Sequence, residues 1–324
     1  MSPELLGALM LATLIVAICA GFPISFTLLV VVGAFGFLGF GPRVWDVMVL
    51  QTVGLAKQEV FAAVPLFIFM GYMTEQTGLM ERLFRAFQLL LAPVRGSLYL
   101  AVILTATVFA MATGIVGASV TVLGIMAGST MARSGYDIRL SAGVITAGGT
   151  LGILIPPSVM LIVMGPVLGV SVVELYAAAF GPGFLLSALY IGYAMVRSYL
   201  RPELGPPLPP EARAPSARAA LREFAVGMLP LGVLITATLG SILSGLATPT
   251  EASATGAFGS VILALGYRQL TWRRLRDSVV KTLETTSMIV FLALTPTCSA
   301  PYSRGSEPRP SSWRACSACT CQRS

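Results

Sequence analysis

The residues able to do chemistry in this chain lie in three short stretches. In the first, Gly152-Ile153-Leu154-Ile155-Pro156-Pro157-Ser158, two adjacent prolines interrupt an apolar run. Proline has no N–H, so the carbonyls of Gly152 and Ile153 lose their i+4 partners. An unpaired carbonyl in hydrocarbon costs several kcal/mol, so broken backbone persists there only against protein, water or an ion. Those carbonyls and the Ser158 hydroxyl are hard oxygen ligands of the kind a sodium ion accepts. A helix restarting after Pro157 also turns its positive N-terminal end toward the membrane interior, which suits an anion. A plain proline kink would use the same residues. The double proline, with glycines at 148, 149 and 152, favours a binding site.

The second stretch is MATGIVGASVTVLG, residues 111–124. Thr113-Gly114 and Gly117-Ala118-Ser119 lie between two segments of about hairpin length, as the turn of a re-entrant hairpin requires. Small residues there let other backbone approach, and Thr113 and Ser119 supply hydroxyls. Small-residue helix packing draws on the same alphabet. Beside the break at 156–158 the hairpin reading gains, and Ser119, Gly152 and Ser158 form a candidate sodium site. The third stretch is Ala247-Thr248-Pro249-Thr250-Glu251. A carboxylate between apolar segments is a functional candidate, but this one opens a helix. Thr250 and Glu251 are therefore read as a structural cap rather than a proton relay.

The inventory excludes much else. The chain has no histidine, which removes a histidine base, a Ser-His-Asp triad and histidine-ligated metal. An enzyme is not expected, nor any cofactor. Hydrophobic residues make up 56% and charged residues 11%, where soluble domains carry about 25% charged; the mean hydropathy is +0.84. The net charge of +7 sits in loops, so it is an orientation signal rather than a nucleic-acid surface.

The elements that must position these stretches are membrane helices, each needing about 20 apolar residues to cross. Candidates fall near 4–20, 22–40, 60–77, 97–112, 118–132, 140–155, 156–168, 172–198, 224–245, 247–267 and 283–295. Those at 118–132, 140–155 and 156–168 are too short to cross alone, the mark of re-entrant hairpins and broken helices. If 97–132 enters and leaves on one side and 140–168 crosses once, the main arginine clusters share the cytoplasmic face and the N-terminus lies in the periplasm. The N-terminal segment lacks a basic region, so a retained helix is expected rather than a signal peptide. The amphipathic stretch 75–96 suits the membrane interface, where it could brace one part against another.

The proline-rich 201–218 is a linker dividing two similar halves. Each half opens with two helices joined through a proline, Pro23 or Pro249, and runs on into GAFG. The prolines are 226 residues apart, which would place a second copy of the 156–158 break near residue 382. The expected plan is 1–96 scaffold helices with the interfacial helix, 97–200 transport region, 201–223 linker, 224–294 partial second repeat, and 295–324 an aberrant, disordered tail. Cys316, Cys319 and Cys321 in that tail lack a fourth ligand and make a weak metal site.

The runs PLFIFMGYMTEQTGLMERLF, MATGIVGASVTVLGIMAGSTMARSGYD, GTLGILIPPSVML, ELYAAAFGPGFLL and ATPTEASATGAFG resemble the large membrane subunit of tripartite ATP-independent periplasmic (TRAP) transporters, the DctM family. The resemblance covers about 1–294 and departs near Thr295, where a truncation or frameshift is expected. It implies an all-α polytopic, elevator-type fold of inverted repeats, the second incomplete here. It further implies an inner-membrane permease subunit importing a small organic anion with sodium, alongside a small membrane subunit and a periplasmic binding protein. Carried over, Thr113, Gly114, Gly117, Ala118 and Ser119 with Gly152, Ile153, Pro156, Pro157 and Ser158 resemble the first-repeat half of the ion and substrate site. The alternatives are a stand-alone divalent-anion/sodium symporter and a non-transporting membrane subunit.

Overall fold

The computed structural model describes residues 3–114, 116–207 and 217–303, all helix and connecting turns with no strand among them. Ile115, the middle of the linker and the three tail cysteines lie outside the described residues, as does the Ala118 side chain. The helices are α1 (Pro3–Cys19), α2 (Ile24–Phe40), α3 (Arg43–Ala56), α4 (Ala63–Gln76), α5 (Leu79–Leu91), α6 (Ser97–Thr113), α7 (Val116–Leu123), α8 (Ser129–Arg133), α9 (Ile138–Leu154), α10 (Val159–Leu168), α11 (Val172–Leu200), α12 (Ala217–Ile235), α13 (Ser241–Leu243), α14 (Pro249–Gly266) and α15 (Trp272–Ser303). They form two units, one of the residues up to Gln58 with those from Ser287 onward, the other Glu59–Thr286.

In the first unit α1 and α2 pair as a helical hairpin through the Gly21–Pro23 turn, and the Phe26 and Phe291 rings meet with centroids 5.2 Å apart. Leu11, Val16, Val30 and Leu38 are exposed along these helices. Such an outward apolar surface is what lipid solvates and water does not.

The second unit holds all three stretches. α11 is long and apolar enough to cross a membrane, and so is the run Phe224–Leu243, in which a π-helical turn, Thr236–Gly240, joins α12 to α13. α9 and α10 pass the same test as a pair bent by 44°. At the centre is α6, buried along nearly its whole length against α9, α11, α5 and α4. Its buried hydroxyls turn inward: Thr107 Oγ1 donates to the Ile103 carbonyl at 2.7 Å and lies 2.7 Å from Ser187 Oγ of α11. A polar pair between helices satisfies in lipid what would otherwise be orphaned groups.

The amphipathic stretch becomes α5, which buries Leu79, Met80, Leu83, Phe84 and Phe87 and leaves Glu81, Arg82 and Arg85 exposed. Its apolar face packs on α12 and α6, and Phe87 meets Phe224 edge-on at 5.3 Å. The stripe is therefore spent on protein contact. Two elements depart from the apolar-run reading. α3 was not expected, since Arg43, Asp46 and Gln51 interrupt its hydropathy. α15 starts at Trp272, ahead of the apolar run at 283, because a charged, amphipathic segment can extend a helix that no hydropathy window counts.

Candidate functional site

The turn at 113–119 follows from local chemistry. α6 ends where Gly114 adopts φ +60°, the left-handed conformation that only glycine takes freely, and its N–H donates to the Ala110 carbonyl at 3.1 Å. α7 and the π-helical turn after it, Gly124–Gly128, run antiparallel to α9, with Val120 on Gly149 and Gly128 facing Ile145, and α8 follows. With α6 this is a helical hairpin whose tip carries Thr113, Gly114 and Ser119. Thr113 Oγ1 donates to the Phe109 carbonyl at 3.1 Å and lies 3.4 Å from Ser119 Oγ across the tip. Thr113 and Ser119 are buried.

The break at 155–158 is equally local in origin. Ile155, forced into extended backbone because it precedes a proline, ends α9 at φ −83°, ψ 122°. Its own N–H still reaches the Leu151 carbonyl at 2.9 Å. α10 restarts after Ser158, which caps it with extended backbone and no side-chain bond to the helix. The Ser158 hydroxyl instead donates back to the Ile153 carbonyl at 2.5 Å. The Ile153 carbonyl, deprived of its i+4 partner, thus finds one within the chain: the serine that follows the prolines supplies the hydrogen bond their missing N–H cannot. Ile153 itself is 45% exposed, while Ser158 is buried.

Tertiary packing brings the two stretches together. A Cβ placed on Gly114 would lie 2.7 Å from the Pro157 carbonyl oxygen and 3.4 Å from Ser158 Cα. The hairpin tip therefore rests directly on the backbone of the break. A second close approach lies inside α9, five residues before its end, where a Cβ on Gly149 would sit 2.1 Å from Val120 Cγ2 and 3.1 Å from Val120 Cα. Gly148 plays the same part toward α6, its Cβ position 3.1 Å from Ala106. Thr113, Gly114, Ser119, Pro157 and Ser158 thus form one cluster, backed by Pro156 and Gly152, both buried. Gly117 stands apart, exposed and with open space around its Cβ position. Neither stretch contains an acidic residue, so a cation held here would be held by hydroxyl and carbonyl dipoles.

Sequence reasoning missed Tyr176. Fully buried on α11, its phenol O–H donates to the Ser158 carbonyl at 3.5 Å. α11 also brings Gly183 against Ile155, whose Cγ1 would lie 2.9 Å from a Cβ there. The break is thus gripped from one side by the hairpin and from the other by α11. The family-matching run ELYAAAFGPGFLL contains both residues, but no spacing rule marks them as supports.

The third stretch is a helix cap. Thr248 is the N-cap of α14: its Oγ1 accepts from Glu251 N at 3.3 Å while Glu251 Oε2 accepts from Thr248 N at 2.8 Å. Thr248 Oγ1 also donates to Glu251 Oε2 at 2.9 Å and lies 3.2 Å from Thr250 Oγ1. These reciprocal bonds satisfy the orphan donors of a helix start.

Residues 11–300 match the model of the tripartite ATP-independent periplasmic transporter, DctM component. The chain is 30% identical to a C4-dicarboxylate TRAP transporter large permease protein of Pseudomonas aeruginosa, over 80% of this chain and 60% of the relative. It is 28% identical to an ectoine/5-hydroxyectoine large permease protein of Ruegeria pomeroyi, over 89% of this chain and 66% of the relative. It is also 28% identical to a 2,3-diketo-L-gulonate large permease protein of Escherichia coli, over 90% of this chain and 67% of the relative. The chain therefore spans about 60–67% of the length of these relatives.

Proposed function

The chain belongs to the DctM component family of tripartite ATP-independent periplasmic transporters, and on that premise we propose that it carries out the membrane step in uptake of a small organic anion. The observation behind this reading is the contact of the hairpin tip with the helix break, Gly114 on Pro157. Two interrupted elements meet in a buried place, and interruptions of this kind are where secondary transporters hold ions and substrate. The α10 N-terminus offers the substrate anion a positive dipole. Thr113 Oγ1, Ser119 Oγ and the carbonyls of Gly152 and Pro157 offer neutral oxygens to a sodium ion carried with it.

The Ser158 hydroxyl serves in two ways at once. By donating to the Ile153 carbonyl it holds the break in shape, and its lone pairs remain available to accept or to coordinate. Tyr176 and Gly183 on α11 support the break, so ion binding and hairpin position are coupled through one backbone segment. We propose that the hairpin and broken helix move together as the carrier part of an elevator. A small membrane subunit and a periplasmic binding protein act as partners, all at the inner membrane. The substrates named for the three relatives, a dicarboxylate, an ectoine and a diketo sugar acid, share a carboxylate group, which is the class proposed here.

The test is uptake into proteoliposomes containing this chain and its small subunit, with and without the cognate binding protein, under an inward sodium gradient. Uptake that requires both the gradient and the binding protein is expected. Uptake of free substrate without the binding protein would assign the chain to the stand-alone symporters. Uptake indifferent to sodium would remove the ion role of the hairpin and break.

A further inference from the structure

On the far side of α9 from the hairpin contact, a crevice of about 570 Å³ runs between the first turns of α9 and the last turns of α11. Its mouth carries Arg139, Arg197 and Arg201, and its walls carry Leu140, Val144 and Ala147 from α9 and Tyr190 and Tyr193 from α11. All three arginines are exposed. Asp137, the one acid present, is already engaged, its Oδ1 accepting from Leu140 N at 2.8 Å as the N-cap of α9. The charge left at the mouth is positive.

The mouth is built rather than incidental. The turn after α11 is tied down by Asp137 N and the Tyr99 phenol, both donating to the Leu204 carbonyl, at 3.2 and 2.5 Å. Gly96 N and Ser198 Oγ donate to the Gly205 carbonyl at 3.2 and 3.3 Å. Glycine is needed at 205, since a Cβ there would meet Ser198 Oγ at 2.3 Å and Tyr99 Cε2 at 3.1 Å. From Arg139 to Ala147 the crevice follows α9 for about 12 Å at 1.5 Å per residue. Charge thus lies at one end, an apolar wall at the other, and tyrosines between.

We propose that this crevice binds an anionic membrane phospholipid, its phosphodiester on Arg139, Arg197 and Arg201 and an acyl chain along α9. Both walls belong to membrane-crossing elements, since α11 and the bent α9–α10 pair each pass the length and hydropathy test. Leu189, Tyr193, Val196 and Leu200 leave the adjoining face of α11 apolar and exposed. A soluble anion would use the arginines alone and leave the apolar wall and the open space at Gly143 unexplained. Basic pockets at the cytoplasmic ends of membrane helices are suited to anionic headgroups. The inference rests on the membrane placement of these helices and not on what the chain transports.

The test is native mass spectrometry of the purified chain with equal amounts of dioleoyl phosphatidylglycerol and dioleoyl phosphatidylcholine, with glycerol phosphate as a competitor. Three arginines near a headgroup predict a phosphatidylglycerol preference of roughly tenfold or more. The triple variant Arg139→Gln/Arg197→Gln/Arg201→Gln should lose that preference, while Arg222→Gln/Arg273→Gln/Arg276→Gln, of equal charge, should keep it. Gly143→Leu should reduce retention of both lipids, because it fills the crevice where a Cβ meets nothing within 4 Å. That substitution also improves helix propensity, so misfolding does not explain such a loss. Equal retention of the two lipids by the native chain would overturn the proposal, and so would an unchanged preference in the triple variant. Displacement by glycerol phosphate would assign the site to soluble phosphoesters.

Discussion

Gly114→Ala tests the contact on which the functional reading stands. Gly114 has φ +60°, a conformation that costs an L-residue about 1–2 kcal/mol. Its added methyl carbon would also sit 2.7 Å from the Pro157 carbonyl oxygen. That atom is backbone, so no side-chain rotation relieves the overlap, and a forced shift of close-packed segments costs about 1–3 kcal/mol. The sum is about 2–5 kcal/mol, or about 4–10 °C in melting midpoint at about 2 °C per kcal/mol for a large chain. Gly117→Ala is the matched control: it lies three residues away on the same tip, where a Cβ meets nothing within 4 Å. Alanine there should be neutral or stabilising by at most about 1 kcal/mol. The assay is thermal unfolding of both purified variants in the same detergent, followed by uptake in proteoliposomes. Equal midpoints for the two variants would refute the tip-on-break packing and the site built on it.

Ser158→Ala removes the donor to the part-buried Ile153 carbonyl; it should cost about 0.5–1.5 kcal/mol and weaken sodium activation of uptake with little loss of membrane insertion. Ser119→Ala should also weaken sodium activation, and unchanged activation in both variants would show that these hydroxyls are not ligands. Tyr176→Phe loses only a long 3.5 Å bond and should change stability by less than about 1 kcal/mol, whereas Tyr176→Ala empties a buried site and should cost about 3–5 kcal/mol. Thr248→Ala should destabilise by about 1 kcal/mol through the lost N-cap. Glu251→Gln should leave the pH profile of uptake unchanged, and a shifted profile would restore the proton-relay reading.

Hydropathy and proline spacing alone mark this chain as a helical membrane protein and place its breaks. Pro156 and Pro157 lack N–H groups wherever they are put, and Gly114 between two apolar runs terminates a helix by its own conformational freedom. Those are local effects, and local sequence suffices to read them. The same logic located Glu251 at a helix start, although Thr248 rather than Thr250 turned out to be the capping residue. Helices such as α3 and the first turns of α15 escaped, because their charged residues hide helical periodicity from an apolar-run test.

Only the tertiary structure decided what each break touches. That Gly114 meets Pro157, that Val120 presses on Gly149 and that Tyr176 reaches the Ser158 carbonyl are consequences of how α6, α7, α9 and α11 pack. Contacts between residues tens of positions apart leave no period or spacing in the chain. The Ser158 hydroxyl shows the limit most directly: its residue type suggested an ion ligand, but its position after the break made it first the donor to the Ile153 carbonyl. A hydroxyl's chemistry can be read from its letter; its partner depends on the backbone that folding sets beside it.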